Sequence, residues 1–306
     1  MSFHLAPDKV VDLSTAVGYV ADGAVIALGG GLSARLPMAA VRELIRQGRR
    51  DLHVIGSAHS IDVDLLIAAG ALRTCEESYV GFEQDLGLAP AYRRAAESGE
   101  LEIRESCCGT ILNQLRAAAL GLPFIPVRGV IGSDIPRLHP EYREIVCPFT
   151  GETLVAVPAL HPDVALLHAP LGDSRGNVHL DRPYVLDEFF AQASREVVVT
   201  VERIVPTDQV VAAGVTIPAH LVSAITAVPY GAHPASCYPD YAYDRPHLAE
   251  YVGAVGAGRD QAADYVARYV SGTPTEEDYR QLVGSDRLAA LGRWPASTQA
   301  WQELFA

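Results

Sequence analysis

Short apolar runs that end in glycine and lead into a helical pattern recur along this chain. That alternation restricts the fold more than any other feature. Residues 24–28 (AVIAL) form one such run, suited to a strand buried on both faces. Asp22-Gly23 turns the chain into it, and Gly29, Gly30 and Gly31 end it. Pro37 then opens MAAVRELIRQG, which puts Met38, Val41, Leu44 and Ile45 on one helical face and stops at Gly48. Residues 52–55 read as the next strand, and 61–69 as a helix ended by Gly70. The series continues with a helix at 92–98, a strand at 101–104 and a helix at 110–120. Further on, 164–167, 197–201 and 221–228 read as strands, with helices at 185–194 and 207–213. Strands alternating with helices predict an α/β fold, an open, mostly parallel sheet flanked by helices.

A chain of 306 residues buries enough surface to form a core without disulfide or metal staples. Its last sixty residues are helical and charged, and Thr275 with Asp278 has capping-box spacing. The expected organisation is an α/β domain over 1–250 with a helical extension, 251–306, packed on it. Between them, 231–246 (GAHPASCYPDYAYDRP) has no period, and its tyrosines make an ordered loop the expectation.

Charge narrows the function classes. Lys and Arg number 24 against 37 Asp and Glu, a formal net charge of −13. That balance argues against a nucleic-acid binder, which needs a basic face. No basic start with an apolar run opens the chain, and no stretch of 18 apolar residues occurs, so neither export nor membrane insertion is expected. The cysteines are Cys75, Cys107, Cys108, Cys147 and Cys237, with no CxxC pair. Reduced thiols in a cytoplasmic protein are the simplest expectation. The histidines show no HExxH or HxH spacing, so no metal site is expected.

Three places could carry chemistry. The Gly29-Gly30-Gly31 turn lies between strand and helix, where backbone N–H groups can converge on an anion or an oxyanion. The competing reading is a tight turn that needs positive φ. Arg35, four residues beyond Gly31, could add a charge-assisted bond to the same anion or simply be solvated. Glu105 follows the 101–104 strand and precedes Ser106, Cys107, Cys108 and Gly109. Ligands of open parallel sheets bind beyond the carboxyl ends of strands, so Glu105 is a candidate base or nucleophile. The alternative is a carboxylate held by a helix dipole. Cys107 and Cys108 read as small buried hydrophobes. The third place, Gly172-Asp173-Ser174-Arg175-Gly176-Asn177, reads as a structural turn closed by Asx hydrogen bonds.

The segments ADGAVIALGGG, RLPMAAVRELIRQGRRDLHVIG, YVGFEQ, GLPFIPVRGVIGSDI, PALHPDVALLHAPLGDSRGNV and VPYGAHPASCYPDYAYD occur in that order. Together they resemble the α subunit of class I CoA-transferases, most closely the glutaconate type. The resemblance runs from about Val10 to about Tyr251 and more weakly to YVSGT at Tyr269. It implies the CoA-transferase fold over 1–250. It also implies a hetero-oligomer with a β subunit, expected as α2β2, and an acyl-CoA substrate. Coenzyme A would take part as a substrate moiety, with no further cofactor. In this family a β-subunit glutamate attacks the thioester, an anhydride forms, and CoA returns to give a glutamyl-CoA thioester. No SENG-like or ExG segment occurs here, as befits an α subunit. An acyl-CoA substrate needs preorganised N–H donors for its oxyanion, and the Gly29-Gly30-Gly31 turn with Arg35 is the candidate substrate-binding set.

GDSxGN, VERIV and YxSGT also resemble the α subunit of ring-opening CoA-thioester hydrolases of steroid catabolism. There an α-subunit glutamate after a strand is the proposed catalytic group, and Arg104-Glu105 matches that position. The same glutamate occurs in transferase α subunits, so it does not choose between the activities. The SCCG that follows Glu105 and the glycine turn GGGLSARLPM depart from the hydrolase pattern. A sugar-phosphate isomerase or a regulator on a related fold would show a self-sufficient acid–base set in one chain, and none is visible.

Overall fold

The computed structural model describes residues 8–181 and 185–293, apart from the Gln84 side chain. The outermost parts of the two expected segments, 1–7 and 294–306, lie outside the described residues. The chain runs through α1 (Leu13–Val17), β1 (Val25–Leu28), α2 (Met38–Arg46), β2 (Leu52–Ile55), β3 (Ala58–His59) and α3 (Ile61–Ala68). Next come β4 (Leu72–Glu76), β5 (Tyr79–Val80), α4 (Glu83–Leu86), α5 (Pro90–Ser98), β6 (Glu102–Ile103) and α6 (Cys108–Ala119). A separate unit follows, with β7 (Phe124–Val127), α7 (Ile135–Leu138), β8 (Arg143–Val146) and β9 (Thr153–Pro158). The chain returns as β10 (Val164–Gly172), β11 (Val178–His179), α8 (Asp187–Ala193), β12 (Glu196–Ile204), α9 (Thr207–Ala213) and β13 (Ala224–Ala227). It closes with α10 (Arg245–Ala257), α11 (Arg259–Val266), α12 (Glu276–Val283) and α13 (Ser285–Leu291).

The main sheet has the order β13-β12-β10-β1-β2-β4-β6, with β11 beside β10. Every pair along that order is parallel, and only β11 runs antiparallel. Strand registers such as Leu28 on Leu166 and Ala27 on Ile55 fix side chains alternately on the two faces. Ile26, Leu28, Val164 and Leu166 pack with α2 and α3, while Ala27, Ala165 and Leu167 pack with α6 and α8. Helices α10 to α12 join the first of these cores through Leu248, Tyr251, Tyr265 and Tyr279. The Thr275 box opens α12 with both reciprocal hydrogen bonds in place.

The structure moves some expected boundaries. β10 runs to Gly172 and β12 to Ile204, several residues past the apolar runs, because their pairing continues through Gly172 on Ile204. The expected strand over 221–228 shortens to β13, since a helical turn at Ala219–Leu221 takes its start. The antiparallel sheet β7-β9-β8 had no clear signal in the sequence. Its strands expose much of their surface, with Phe124 46% and Val146 67% accessible, so the alternation of a half-buried strand is blurred. The loop over 231–246 is ordered, with Ala232 to Cys237 buried.

Candidate active site

From β1 the strand order runs outward in both directions, through β2, β4 and β6 on one side and β10, β12 and β13 on the other. Such a switch opens a crevice at the carboxyl ends of the strands. The loops after β1, β2 and β4 line this edge and are laced together. Leu32 N donates to Ala58 O (2.8 Å), Ser78 N donates to Ser57 O (3.2 Å), and the Ser60 hydroxyl donates to Leu32 O.

The glycine turn sits at the switch, and its donors are occupied. Gly29 N donates to Leu166 O (2.9 Å), Gly31 N to Ala34 O (3.0 Å) and Gly30 N to Asp187 Oδ1 (2.9 Å). Arg35 donates from Nη2 to Asp187 Oδ2 (3.0 Å), with both residues buried. The expected anion is thus supplied by the chain itself, as the carboxylate at the start of α8. Gly30 has φ of 76°, and a Cβ there would stand 2.6 Å from Arg35 O. The turn therefore needs glycine for both backbone conformation and space.

Next along the edge, His59 Nδ1 and Asp62 Oδ2 lie 2.5 Å apart in full burial. Burial opposes the charged imidazole, but Asp62 and then Glu77 outweigh it and push His59 up to about 9. Glu77 follows β4. It is 5% exposed, and neither carboxylate oxygen has a hydrogen-bond partner among the described residues. Burial pushes its carboxyl up to about 8, against the pull of His59. Burial thus favours the uncharged acid at Glu77, while His59 favours the carboxylate. Its Oε1 lies so close to Gly56 that a Cβ there would collide with it. Glu76 behaves in the opposite way. Burial would raise it, yet His53 (3.3 Å) and Arg104 (3.0 Å) hold it below the usual carboxylate range.

Glu105 lies at the end of the edge strand β6. Arg104 N bonds Cys75 O (2.9 Å) and His139 Nε2 donates to the Glu105 carbonyl (2.8 Å), so the backbone is fixed. The Glu105 side chain is exposed and makes no hydrogen bond or ion pair among the described residues. Cys107 is the N-cap of α6, and Cys108 is exposed, 2.8 Å from the Ser78 hydroxyl. The structure thus places Gly29, Gly30, Gly31 and Arg35 in one tight unit and Glu105 at the far end of the same edge, beyond β2 and β4.

The Gly172–Asn177 turn is structural. Asp173 accepts from Arg175 N, Asn177 N and Asn177 Nδ2. Two sets of groups have metal-ligand spacing, His168 with Glu202 and Cys237, and His233 with Asp244 and His247. Both are crowded with protein hydrogen bonds. Glu202 accepts from Tyr230 N, Gly231 N and Tyr241 Oη beside His168, and Asp244 holds His233 and Arg287.

Sequence reading missed Asp187, the His59–Asp62 pair and Glu77. The glycines signalled the turn, but nothing local points from residue 30 to a carboxylate 157 residues on. Glu77 carried a faint sign, the second of two adjacent acids, directly before SYVG.

A family model described as Coenzyme A transferase matches residues 10–227. The chain is 34% identical to one subunit of the 3-oxoadipate CoA-transferase of Pseudomonas knackmussii, over 88% of this chain and 95% of that protein. It is 35% identical to the cholesterol ring-cleaving hydrolase IpdA subunit of Rhodococcus jostii, over 90% and 96%. Glutaconate coenzyme A-transferase of Acidaminococcus fermentans superposes with a TM-score of 0.89 and 31% identity, covering 94% of this chain and 96% of that one. A further relative, from Archaeoglobus fulgidus, is 35% identical, and the chain spans 65% of its length.

Proposed function

The chain belongs to the coenzyme A transferase family, and on that premise we propose that it is the α subunit of a heteromeric CoA-transferase, paired with β subunits in an α2β2 assembly. The complex moves CoA from an acyl-CoA thioester to a free carboxylate. A β-subunit carboxylate attacks the thioester carbonyl, the C–S bond breaks and CoA leaves as thiolate. The thiolate then attacks the resulting anhydride on the enzyme side, giving a glutamyl-CoA thioester and releasing the first acid. A second carboxylate reverses these steps. A carboxylate nucleophile gains from desolvation, which a site closed between two subunits provides.

The observation that carries this reading is the unequal state of the acids along the carboxyl edge. Asp187, Asp62 and Glu76 are committed to internal cations, and Glu77 is buried. Glu105 alone of these is exposed without a partner. Among these five acids Glu105 is the open carboxylate, with no companion general acid or nucleophile bonded to it, which is half of a site. In transfer chemistry Glu105 orients substrate at the interface.

A second reading, a ring-opening CoA-thioester hydrolase, is favoured by the likeness to the hydrolase subunit over 90% of the chain. There Glu105 would be the acid–base group. One experiment separates them. The chain is purified with its β partner, incubated with acyl-CoA and trapped with borohydride or hydroxylamine, and the β chain is weighed by mass spectrometry. A trapped β adduct supports transfer. Its absence in the wild type, together with a large loss of turnover in Glu105→Gln, overturns transfer in favour of hydrolysis.

A further inference from the structure

Beside the glycine turn lies a cavity of about 170 Å³ between the loops after β1 and β5 and helix α10. At about 30 Å³ per water-sized unit it has room for roughly five or six non-hydrogen atoms. Leu32, Phe82, Leu86 and Leu248 give it apolar walls, and Ser60 on its wall is tied to the turn through Leu32 O. Two of its residues, Leu32 (φ 53°) and Glu83 (φ 56°), hold the left-handed backbone conformation without being glycine, and Arg35 (φ 52°) lies three residues beyond Leu32. Strain of this kind persists only where the surroundings enforce it, and it gathers at ligand sites.

The charges around the cavity have one sign. Glu83 and Asp85 line it, and among the described residues no Lys, Arg or His does. Asp85 is held from outside by Arg245 at 2.8 Å, which cancels that cation toward the cavity. A carboxylate entering here would lose part of its hydration and meet Glu83, which has no cation partner among the described residues, while Asp85 and Arg245 are already spent on each other.

We propose that this cavity receives the acyl group of the thioester, and that its acidic lining selects acyl chains whose far end carries no negative charge. The inference rests on the acyl-CoA reading above and deepens it. Glutaconate and 3-oxoadipate, the acids named for two of the similar proteins, carry a second carboxylate, so the proposed selection would disfavour their thioesters here.

The test uses the α–β complex and two thioesters that differ at the chain end, valeryl-CoA and glutaryl-CoA. Binding is measured by calorimetry without an acceptor, and turnover separately. The expected result is valeryl-CoA tighter by about tenfold or more, since a carboxylate that gives up hydration in this cavity gains no cation in return and lies beside Glu83. Asp85→Asn frees Arg245 and should narrow or reverse that preference. Leu86→Trp fills the cavity and should weaken valeryl-CoA about tenfold while sparing acetyl-CoA. Equal affinity for both thioesters in the wild type, or an unchanged preference in Asp85→Asn, overturns the proposal even if transfer occurs. A clear valeryl-CoA preference without transfer to any carboxylate leaves the subsite standing and removes the transferase reading.

Discussion

The turn after β1 and the end of β6 stand on the same sheet edge and are built on opposite principles. In the turn the backbone donors are spent and the charge is paired. Gly29, Gly30 and Gly31 donate internally, and Arg35 is neutralised by Asp187. At β6 the backbone is pinned by Cys75 and His139, but the Glu105 carboxylate is left open to solvent. A region that has satisfied its own polar groups sets geometry. A region that holds a charged group unpaired on a fixed backbone is able to react or bind.

The contrast is broken most strongly at Asp187. Asp187→Ala leaves the buried Arg35 guanidinium without its counter-charge, and losing one member of a buried pair costs about 3–5 kcal/mol. Urea unfolding should show the midpoint falling with the slope unchanged. Gly30→Val attacks the same unit through the backbone. With φ of 76° and no space for Cβ, the expected loss is about 3 kcal/mol from strain and overpacking. A melting temperature at the wild-type value would show that the turn relaxes freely and does not set geometry.

Glu77 tests the ground between the two regions. Its carboxyl titrates at about 8 in the fold against an ordinary 4.5, so from pH 4.5 to about 8 the unfolded chain holds fewer protons than the folded one. Stability from this group is full below pH 4.5 and declines until about pH 8. Glu77→Gln keeps the neutral shape and removes that decline. Its melting temperature should match the wild type at acid pH and exceed it increasingly up to about pH 8. A constant offset across that range would mean that Glu77 is charged in the fold. The smallest stability effect belongs to Glu105→Gln, within about 0.5 kcal/mol, because an exposed side chain without partners contributes little. Its effect on turnover is modest under transfer chemistry and reaches about 10²–10⁴-fold if Glu105 is the acid–base group. Measuring melting and turnover on one preparation separates the two roles.

Much of the scaffold was legible. The runs at 24–28 and 52–55 became β1 and β2, and Pro37 and Gly48 bracket α2 as their chemistry requires. The capping box at Thr275 formed as its spacing predicts. The three-stranded sheet did not show, because β8 is mostly exposed and has no apolar period to read. Of the candidate site residues, their positions at strand ends were legible and their states were not. Nothing near Arg35 announces its partner at residue 187, and nothing near Glu105 says that its side chain stays free.

The sequence by itself determined where strands stop and helices start, because glycine conformations, proline constraints and apolar periodicity act within a few residues. It also determined that the sheet would be mostly parallel, since strands followed by crossover helices return in the same direction. Only the tertiary structure decided which acids are charged, which are neutral and which are open. Those states depend on desolvation and on partners far away in the chain, as with Gly30 and Asp187 or Glu77 and His59. Burial and Coulomb interactions act through space and leave no local pattern.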